Sequence, residues 1–327
     1  MMGRSKDVHP KANAALEAAG VSVEATTASI EAVRDVIRRK VPEAGAWARI
    51  MRSTQEAFWA RVCSSYNLRE DEFLRMLEAS DGQGPGSVEW TPDYDYPDYA
   101  KVETHMQPHG FNGHPLSGLY YDYGGRVFLG KAGVNDGLHR SLAEKITPPK
   151  DGNVSRIMDI ACAAGKLTAQ LKRRFPDSEV WGSDISAPMV RYAHYRAIQE
   201  NLDIRFIQKA GEDLDELPEN HFDLVTAYIL FHEVPLPVTI RTIKNVFRIL
   251  RPGGTFVFFD FPTAGTGKMN YSGFLRAVDS ADNSEPYAPE FVTSKIEERI
   301  KQAGFALRSE DPGDIALYGR VCDKPKT

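Results

Sequence analysis

Between Lys11 and about Ala79, apolar residues recur at the three- and four-residue steps of a helix face. Ile30, Val33 and Ile37 make one run, and Trp47, Ile50, Met51, Phe58, Val62 and Tyr66 make another. The spacing predicts helices throughout this stretch. From Asp81 to Ala100 the periodicity stops. DGQGPGSVEWTPDYDYPDYA holds three glycines, three prolines, five acids and no base, and it reads as an acidic linker or lid. The next stretch, His105 to Gly130, is rich in Gly, His and Tyr and reads as shaped loops lining a pocket.

Beyond Asn135 the pattern becomes regular. A helix is expected from Gly137 to Lys145, followed by a break at Pro148, Pro149 and Gly152. Short apolar runs then alternate with helical stretches. The expected strands are Ser155 to Ala161, Glu179 to Asp184, Ile204 to Gln208, Leu224 to Leu230 and Thr255 to Asp260, with a last pair near Phe305 to Ser309 and Ile315 to Arg320. Strand–helix–strand alternation implies a parallel sheet covered on both faces. Glu310 to Asp314 is too short for a crossover helix, so the last two strands should be antiparallel. The expected fold is α/β: a Rossmann-like seven-stranded sheet, parallel except for one C-terminal strand, preceded by a mainly helical region. The chain divides into 1–100 (helices and acidic linker), 101–150 (a lid or pocket segment) and 151–327 (the sheet domain).

Composition narrows the chemistry. The 327 residues carry 40 Lys and Arg against 45 Asp and Glu, a net charge of −5. No overall positive field exists to hold a phosphate backbone or an anionic bilayer, so neither nucleic acid nor membrane is expected as a partner. The opening residues lack the apolar core of an export signal, and Leu224 to Phe231 is too short to span a bilayer. Three scattered cysteines, Cys63, Cys162 and Cys322, make neither a disulfide framework nor a zinc site, and a reducing cytoplasmic setting is expected. A homodimer is an open alternative.

The first strand of the sheet domain ends in IMDIACAAGKLTAQL. Small residues at 161, 163, 164 and 165 permit a tight turn and close approach of a ligand to the N–H groups of the following helix. The small positions Ala161, Ala163 and Gly165, with Lys166 where a dinucleotide fingerprint has its last glycine, argue against a nicotinamide cofactor. Asp159 would repel a pyrophosphate but attract an ammonium group, directly or through water. Nineteen residues after Gly165, Asp184 ends the second strand, placed to accept hydrogen bonds from both hydroxyls of a ribose; its other reading is an N-cap for the helix from Ala187. The donor implied is adenosine-like at one end and zwitterionic at the other.

These residues resemble the class I S-adenosylmethionine-dependent methyltransferases, in the branch of ubiquinone/menaquinone-type and other small-molecule enzymes. The resemblance runs from about Val154 to Val321. It rests on DIACAAG at 159–165, Asp184, FDLVTAYILFHEVP at 222–235 and LRPGGTFVFFDF at 250–261. It implies S-adenosyl-L-methionine as cofactor, with Asp184 on the ribose, Ile185 and Met189 flanking the adenine, and Gly211 and Glu212 at its edge. Backbone around Cys162 to Gly165, together with Ile229, would face the methionine part. The family usually has glycines where this chain has Ala161 and Ala163, and an Asp near 210 where it has Ala210. Alanine is expected to enter the loop only at negative φ.

A small organic acceptor fits better than a nucleic acid, since Ile229, Leu230, Phe231 and His232 follow the fourth strand where base-amine methylases carry an Asn/Asp-Pro-Pro-aromatic box. Methyl transfer from a sulfonium is an in-line displacement governed by alignment, with a base useful for a hydroxyl or acidic carbon. His232 and Glu233, at the sheet's carboxyl edge, are candidate bases, although His232 could instead cap or pack. Among His105, His109, His114, Tyr120, Tyr121, Tyr123 and Arg126, Tyr120 or Tyr121 is a candidate to lie over the sulfonium and Arg126 to meet a carboxylate. Pro108 and Gly110 break the helix that would align the histidines on a metal, and no metal site is expected. A nicotinamide oxidoreductase, or another use of the same sulfonium such as cyclisation or a non-methyl transfer, is the alternative function.

Overall fold

The structure, a computed structural model, describes residues 5–24, 27–265, 269–271, 273–274, 283–313 and 317–326. Its centre is one sheet built from β1 (Ser87–Glu89), β2 (Arg156–Ile160), β3 (Glu179–Asp184), β4 (Arg205–Gln208), β5 (Phe222–Tyr228), β6 (Leu250–Asp260), β7 (Ala306–Leu307) and β8 (Tyr318–Asp323). The order is β1-β4-β3-β2-β5-β6-β8-β7. Neighbours are parallel except β8, which runs antiparallel to both β6 and β7.

The expected reversal at the C-terminal edge is present, and the strand count is eight among the described residues, not seven. The extra strand, β1, lies in the segment read as linker, where Val88 pairs with Phe206. Three residues framed by glycine and proline are too few to show a period. Ile315 of the last expected strand lies outside the described residues; β8 begins at Tyr318 and runs on to Asp323.

The described helices are α1 (Ser5–Ala18), α2 (Thr27–Lys40), α3 (Pro42–Asn67), α4 (Glu70–Asp81), α5 (Ser117–Phe128), α6 (Gly137–Lys145), α7 (Lys166–Arg174), α8 (Ala187–Gln199), α9 (Leu236–Ile249), α10 (Ala288–Val292) and α11 (Ile296–Gln302). Near-continuous apolar strands such as FDLVTAY are buried on both faces, as parallel strands between two helical layers must be. Met158, Val225, Phe256 and Phe258 face α9 and α11, while Ile157, Leu224, Val257 and Phe259 share a core with Leu167, Val190 and Leu142 on the other side.

Helix α5 corrects the reading of His105 to Gly130 as loops. SGLYYDYGGRVF looks irregular because of its glycines, yet two of them are contact points of a helix. A Cβ on Gly118 would lie 2.6 Å from the Pro188 carbonyl oxygen and 2.7 Å from Tyr192 Cβ, and one on Gly124 would lie 2.4 Å from the Trp59 ring. Glycine here lets α5 press against α8 and α3, a gain from packing that offsets its poor helix propensity of about 1 kcal/mol. Helices α3, α4 and α5 thereby close a core with Ala164 and Tyr192 beside the first crossover loop.

Candidate active site

The tips of β2 and β3 carry the two acids singled out in the sequence. Asp159 is buried; the Thr168 hydroxyl donates to one of its oxygens at 2.6 Å and the Thr226 hydroxyl to the other at 2.7 Å. Burial pushes its carboxyl up to about 6, against the pull of those hydroxyls. Asp184 does not cap α8: Ser186 does, accepting the Met189 N–H at 3.2 Å. Asp184 instead accepts the N–H groups of Ser186 and Ala163, each at 2.9 Å, and so ties the loop after β2 to the end of β3. Burial raises its carboxyl to about 6 as well.

The loop itself corrects the expectation about alanine. Ala161 and Ala163 adopt φ of +53° and +45°, the left-handed region that glycine enters freely and an L-residue enters at a cost of about 1–2 kcal/mol. Ile229, at the end of β5, is also left-handed at φ +56°, held by its N–H on the Phe259 carbonyl at 2.8 Å. A β-branched residue there is a genuine outlier, and strain of this kind concentrates at functional sites. Cys162 is buried in the loop, its thiol pushed well up by that burial, as befits a small filler and not a nucleophile.

Over the expected adenosine end lies segment 91–101. The Tyr99 hydroxyl donates to the Glu212 carboxylate, and Tyr96 accepts the Ala187 N–H at 3.2 Å and Gln208 Nε2 at 3.4 Å. Gln208 also accepts the Thr91 N–H and donates to the Ile185 carbonyl. Met189 is buried beneath, and the Gly211 carbonyl is engaged by Asn245 Nδ2 at 3.2 Å. The acidic segment is thus a strap over this end of the sheet, held by tyrosines the sequence pattern left unassigned.

Two cavities meet beside the loop. A recess of about 20 Å³, room for one water, is lined by Asp159, Ala161, Cys162, Ala163, Ala164 and Leu167. Next to it a cavity of about 500 Å³ is walled mainly by apolar groups, among them Trp59, Phe111, Phe128, Leu129, Leu138 and Phe261, together with Ile229. Tyr121, His139, Lys166 and Tyr228 line both.

The larger cavity has a polar end. His105 stands between two carboxylates, its Nε2 3.3 Å from Glu233 and its Nδ1 3.0 Å from Glu285. Burial works against a charged ring, but the two carboxylates outweigh it and raise the imidazole to about 10. Glu233, offered by the sequence as a candidate base, lies on the cavity wall, bound to a histidine that sequence alone could only group with others. His232 does not line the cavity. It is sealed behind Glu233, with Nδ1 2.6 Å from Asp260, and that geometry suits a positioning group better than a base.

The rest of the His/Tyr cluster disperses. The His109 and His114 rings pack at a tilt of 35° with centroids 5.6 Å apart, and His114 Nδ1 accepts the Leu116 N–H at 3.1 Å. Tyr120 is buried among α3 and α5 side chains and donates to Asn67 at 2.5 Å, so of the two tyrosines only Tyr121 reaches the cavities. Arg126 pairs with Asp122 at 2.5 Å and lies off the cavity wall, because α5 turns it outward. His139, Lys166 and Glu285 went unnoticed in these roles; each is an isolated residue whose place depends on how α6, α7 and the segment before α10 converge.

A Rossmann-like sheet with a tight first crossover, acidic strand tips and an apolar cavity beyond them defines a nucleotide-cofactor enzyme acting on a small molecule. Residues 157–254 match the family described as methyltransferase domain. The chain is 33% identical over 170 residues to the demethylmenaquinone methyltransferase of Thermus thermophilus, covering 47% of this chain and 76% of that protein. It is 31% identical over 134 residues to the ubiquinone/menaquinone biosynthesis C-methyltransferase UbiE of Pseudomonas paraeruginosa, covering 39% of this chain and half of that protein. A Nostoc punctiforme PCC 73102 protein proposed to be an O-methyltransferase shares the fold with a TM-score of 0.51 at 15% identity, over 66% of this chain and 62% of that one. The chain belongs to the class I S-adenosylmethionine-dependent methyltransferases of the quinone-type branch, and it is a transferase. Among the described residues no helix is long and apolar enough to cross a membrane.

Proposed function

We propose that the chain uses S-adenosylmethionine to methylate a small, largely apolar molecule seated in the 500 Å³ cavity. The observation that carries this reading is the shared wall of Tyr121, His139, Lys166 and Tyr228, which sets the acceptor cavity directly against the crossover loop. The residues fit the cofactor in kind. Asp184 offers a carboxylate at the strand tip to ribose hydroxyls, Asp159 places negative charge near an ammonium, and the loop from Ala161 to Gly165 has the tight bend a close ligand needs. Ile185, Met189, Gly211 and Glu212 stand where the adenine would lie, and Cys162 and Ile229 beside the methionine part. When bound, the cofactor supplies an electrophilic methyl group on a sulfonium.

The chain's own residues then do three things. The aromatic wall excludes water and orients a flat acceptor. Glu233, held in place by His105, presents a carboxylate where an acceptor proton can be taken. Asp260 and His232 brace Glu233 from behind. One relative is named a demethylmenaquinone methyltransferase and another for ubiquinone/menaquinone biosynthesis, and a flat, oxygen-bearing acceptor suits the cavity.

Calorimetric titration with S-adenosylhomocysteine tests the reading. Binding is expected in the native chain, weakened by about 1–3 kcal/mol in Asp184→Ala through lost hydrogen bonds. Heat from NADH but none from S-adenosylhomocysteine would overturn it.

A further inference from the structure

Among the four residues of the shared wall, the reaction scheme above gives no task to His139 or to Lys166, and Lys166 is already paired with Asp122 at 2.6 Å. His139 is the third residue of α6, whose N-cap residue Asp136 has a left-handed φ of +53°. The ring is buried and makes a T-shaped contact with the Tyr228 ring, centroids 5.3 Å apart and planes at 76°. Nδ1 is enclosed and meets no hydrogen-bond partner among the described residues.

Resting on the methyltransferase reading, we propose that His139 binds the acceptor. Its neutral imidazole, protonated on Nε2, donates a hydrogen bond to an acceptor oxygen at the junction of the two cavities.

Tautomer choice follows from the enclosure of Nδ1. A buried N–H without an acceptor is a rare and costly arrangement, whereas a buried lone pair is tolerated better, so the proton belongs on Nε2. That nitrogen is the one left to meet a molecule in the cavities His139 lines. Neutrality follows from what surrounds the ring. Burial disfavours its charge first, and the Lys166 ammonium and Arg196 guanidinium disfavour it further, bringing the group down to about 4. The carboxylates that oppose this, Asp136 and Asp122, are themselves paired with Arg196 at 2.5 Å and Lys166 at 2.6 Å.

His139 and Lys166 line both the recess beside the crossover loop and the larger cavity, whereas Glu233 and Glu285 line only the larger one. An acceptor oxygen therefore finds an N–H donor where the two cavities meet, on the side of the crossover loop.

The test uses the full chain labelled with ¹⁵N-histidine, with 4-nitrophenol as the probe. The His139 signals, assigned by comparison with His139→Gln, should report a neutral ring protonated on Nε2 from about pH 5.5 to 8, and should move when 4-nitrophenol is added. Bound nitrophenol should ionise more readily than free nitrophenol, read from the phenolate absorbance. His139→Phe should weaken binding about tenfold and abolish that shift, while His139→Gln, which keeps an N–H near the Nε2 position, should restore most of both.

An imidazolium at neutral pH, a proton on Nδ1, native-like nitrophenol binding by His139→Phe, or no nitrophenol binding by the native chain would each overturn the proposal. Should His139→Phe not fold, the native spectrum decides. Titration of the same samples with S-adenosylhomocysteine separates the two readings. If it binds while the nitrophenol results fail, only the role of His139 is rejected; if it does not bind to the native chain, the cofactor reading falls on its own.

Discussion

His232 and Asp260 meet at 2.6 Å where neither side chain reaches solvent. Asp260 also accepts the N–H groups of Phe231 at 2.8 Å and Phe261 at 2.7 Å, so one carboxylate at the end of β6 fixes the turn after β5 that carries Glu233. Burial opposes a charged imidazole there, yet Asp260 prevails and His232 is raised to about 9 from its usual 6.5. A group whose pKa is raised on folding adds stability that is complete below its unfolded value and disappears as pH climbs through its folded one. The difference in unfolding free energy between the native chain and His232→Phe should therefore be largest below about pH 6.5, of order 3 kcal/mol, and shrink toward pH 9. Urea unfolding at a series of pH values measures it; a difference independent of pH would mean that packing alone holds the ring.

Ala161 and Ala163 give a prediction of opposite sign. Each sits in the left-handed region at a cost of about 1–2 kcal/mol, part of which glycine would return to the unfolded chain as entropy of about 0.4–1 kcal/mol. Replacing either by glycine should stabilise the protein by about 0.5–1 kcal/mol. Thermal unfolding should show a small rise in Tm for each single variant. A fall would mean that the methyl groups contribute more by packing than the backbone loses by strain.

What the sequence revealed, and what it concealed, follows from the range of the interactions involved. Apolar strands such as RIMDI and EVWGSD, and the acid at the tip of each, are local features, and β3 starts and stops where its pattern does. The gathering of Asp159, Asp184 and the loop was legible for that reason. Helix α5 was not, because Gly118 and Gly124 weaken a helix locally and justify themselves only through Pro188, Tyr192 and Trp59, at distant positions in the chain. His105 with Glu233 and Glu285 was hidden likewise: 128 and 180 residues separate the partners, and no spacing rule joins them.

Lys166, buried in the first turn of α7, holds Asp122 of α5 at 2.6 Å, and the Tyr192 hydroxyl donates to the same carboxylate at 2.7 Å. Burial pushes the Asp122 carboxyl up, but the charges of Lys166 and Arg196 outweigh it and hold it at about 2, below its usual 3.8. The stability this brings is present above pH 3.8 and lost as pH falls toward 2. Lys166→Met, which keeps the chain length and removes the charge, should destabilise the protein by about 1–3 kcal/mol at neutral pH, since it leaves Asp122 Oδ1 buried without a partner while Arg126 and Tyr192 serve only Oδ2. It should also move the midpoint of acid unfolding to higher pH, because Asp122 would then protonate more readily. Urea unfolding at pH 7 reads the first effect and circular dichroism during acid titration the second, and an unchanged acid midpoint would show that Arg126 and Tyr192 suffice to keep Asp122 ionised.

The strap over the adenosine end should set the pace of cofactor exchange. Tyr99 grips Glu212 from segment 91–101, and Tyr96 accepts the Ala187 N–H beside Asp184, so on the proposed cofactor reading the two anchors lie over the acids a nucleoside would meet. A hydrogen bond to a carboxylate is worth about 1.5–3 kcal/mol. Tyr99→Phe keeps the ring and its packing but removes this anchor, and should speed association of S-adenosylhomocysteine by about tenfold or more as the open state becomes more populated. Stopped-flow fluorescence is the measurement, with the native chain's observed rate expected to level off at high ligand concentration where strap opening limits it. Equal rates for the two proteins, both rising without limit as ligand is added, would mean that the strap does not bar the way.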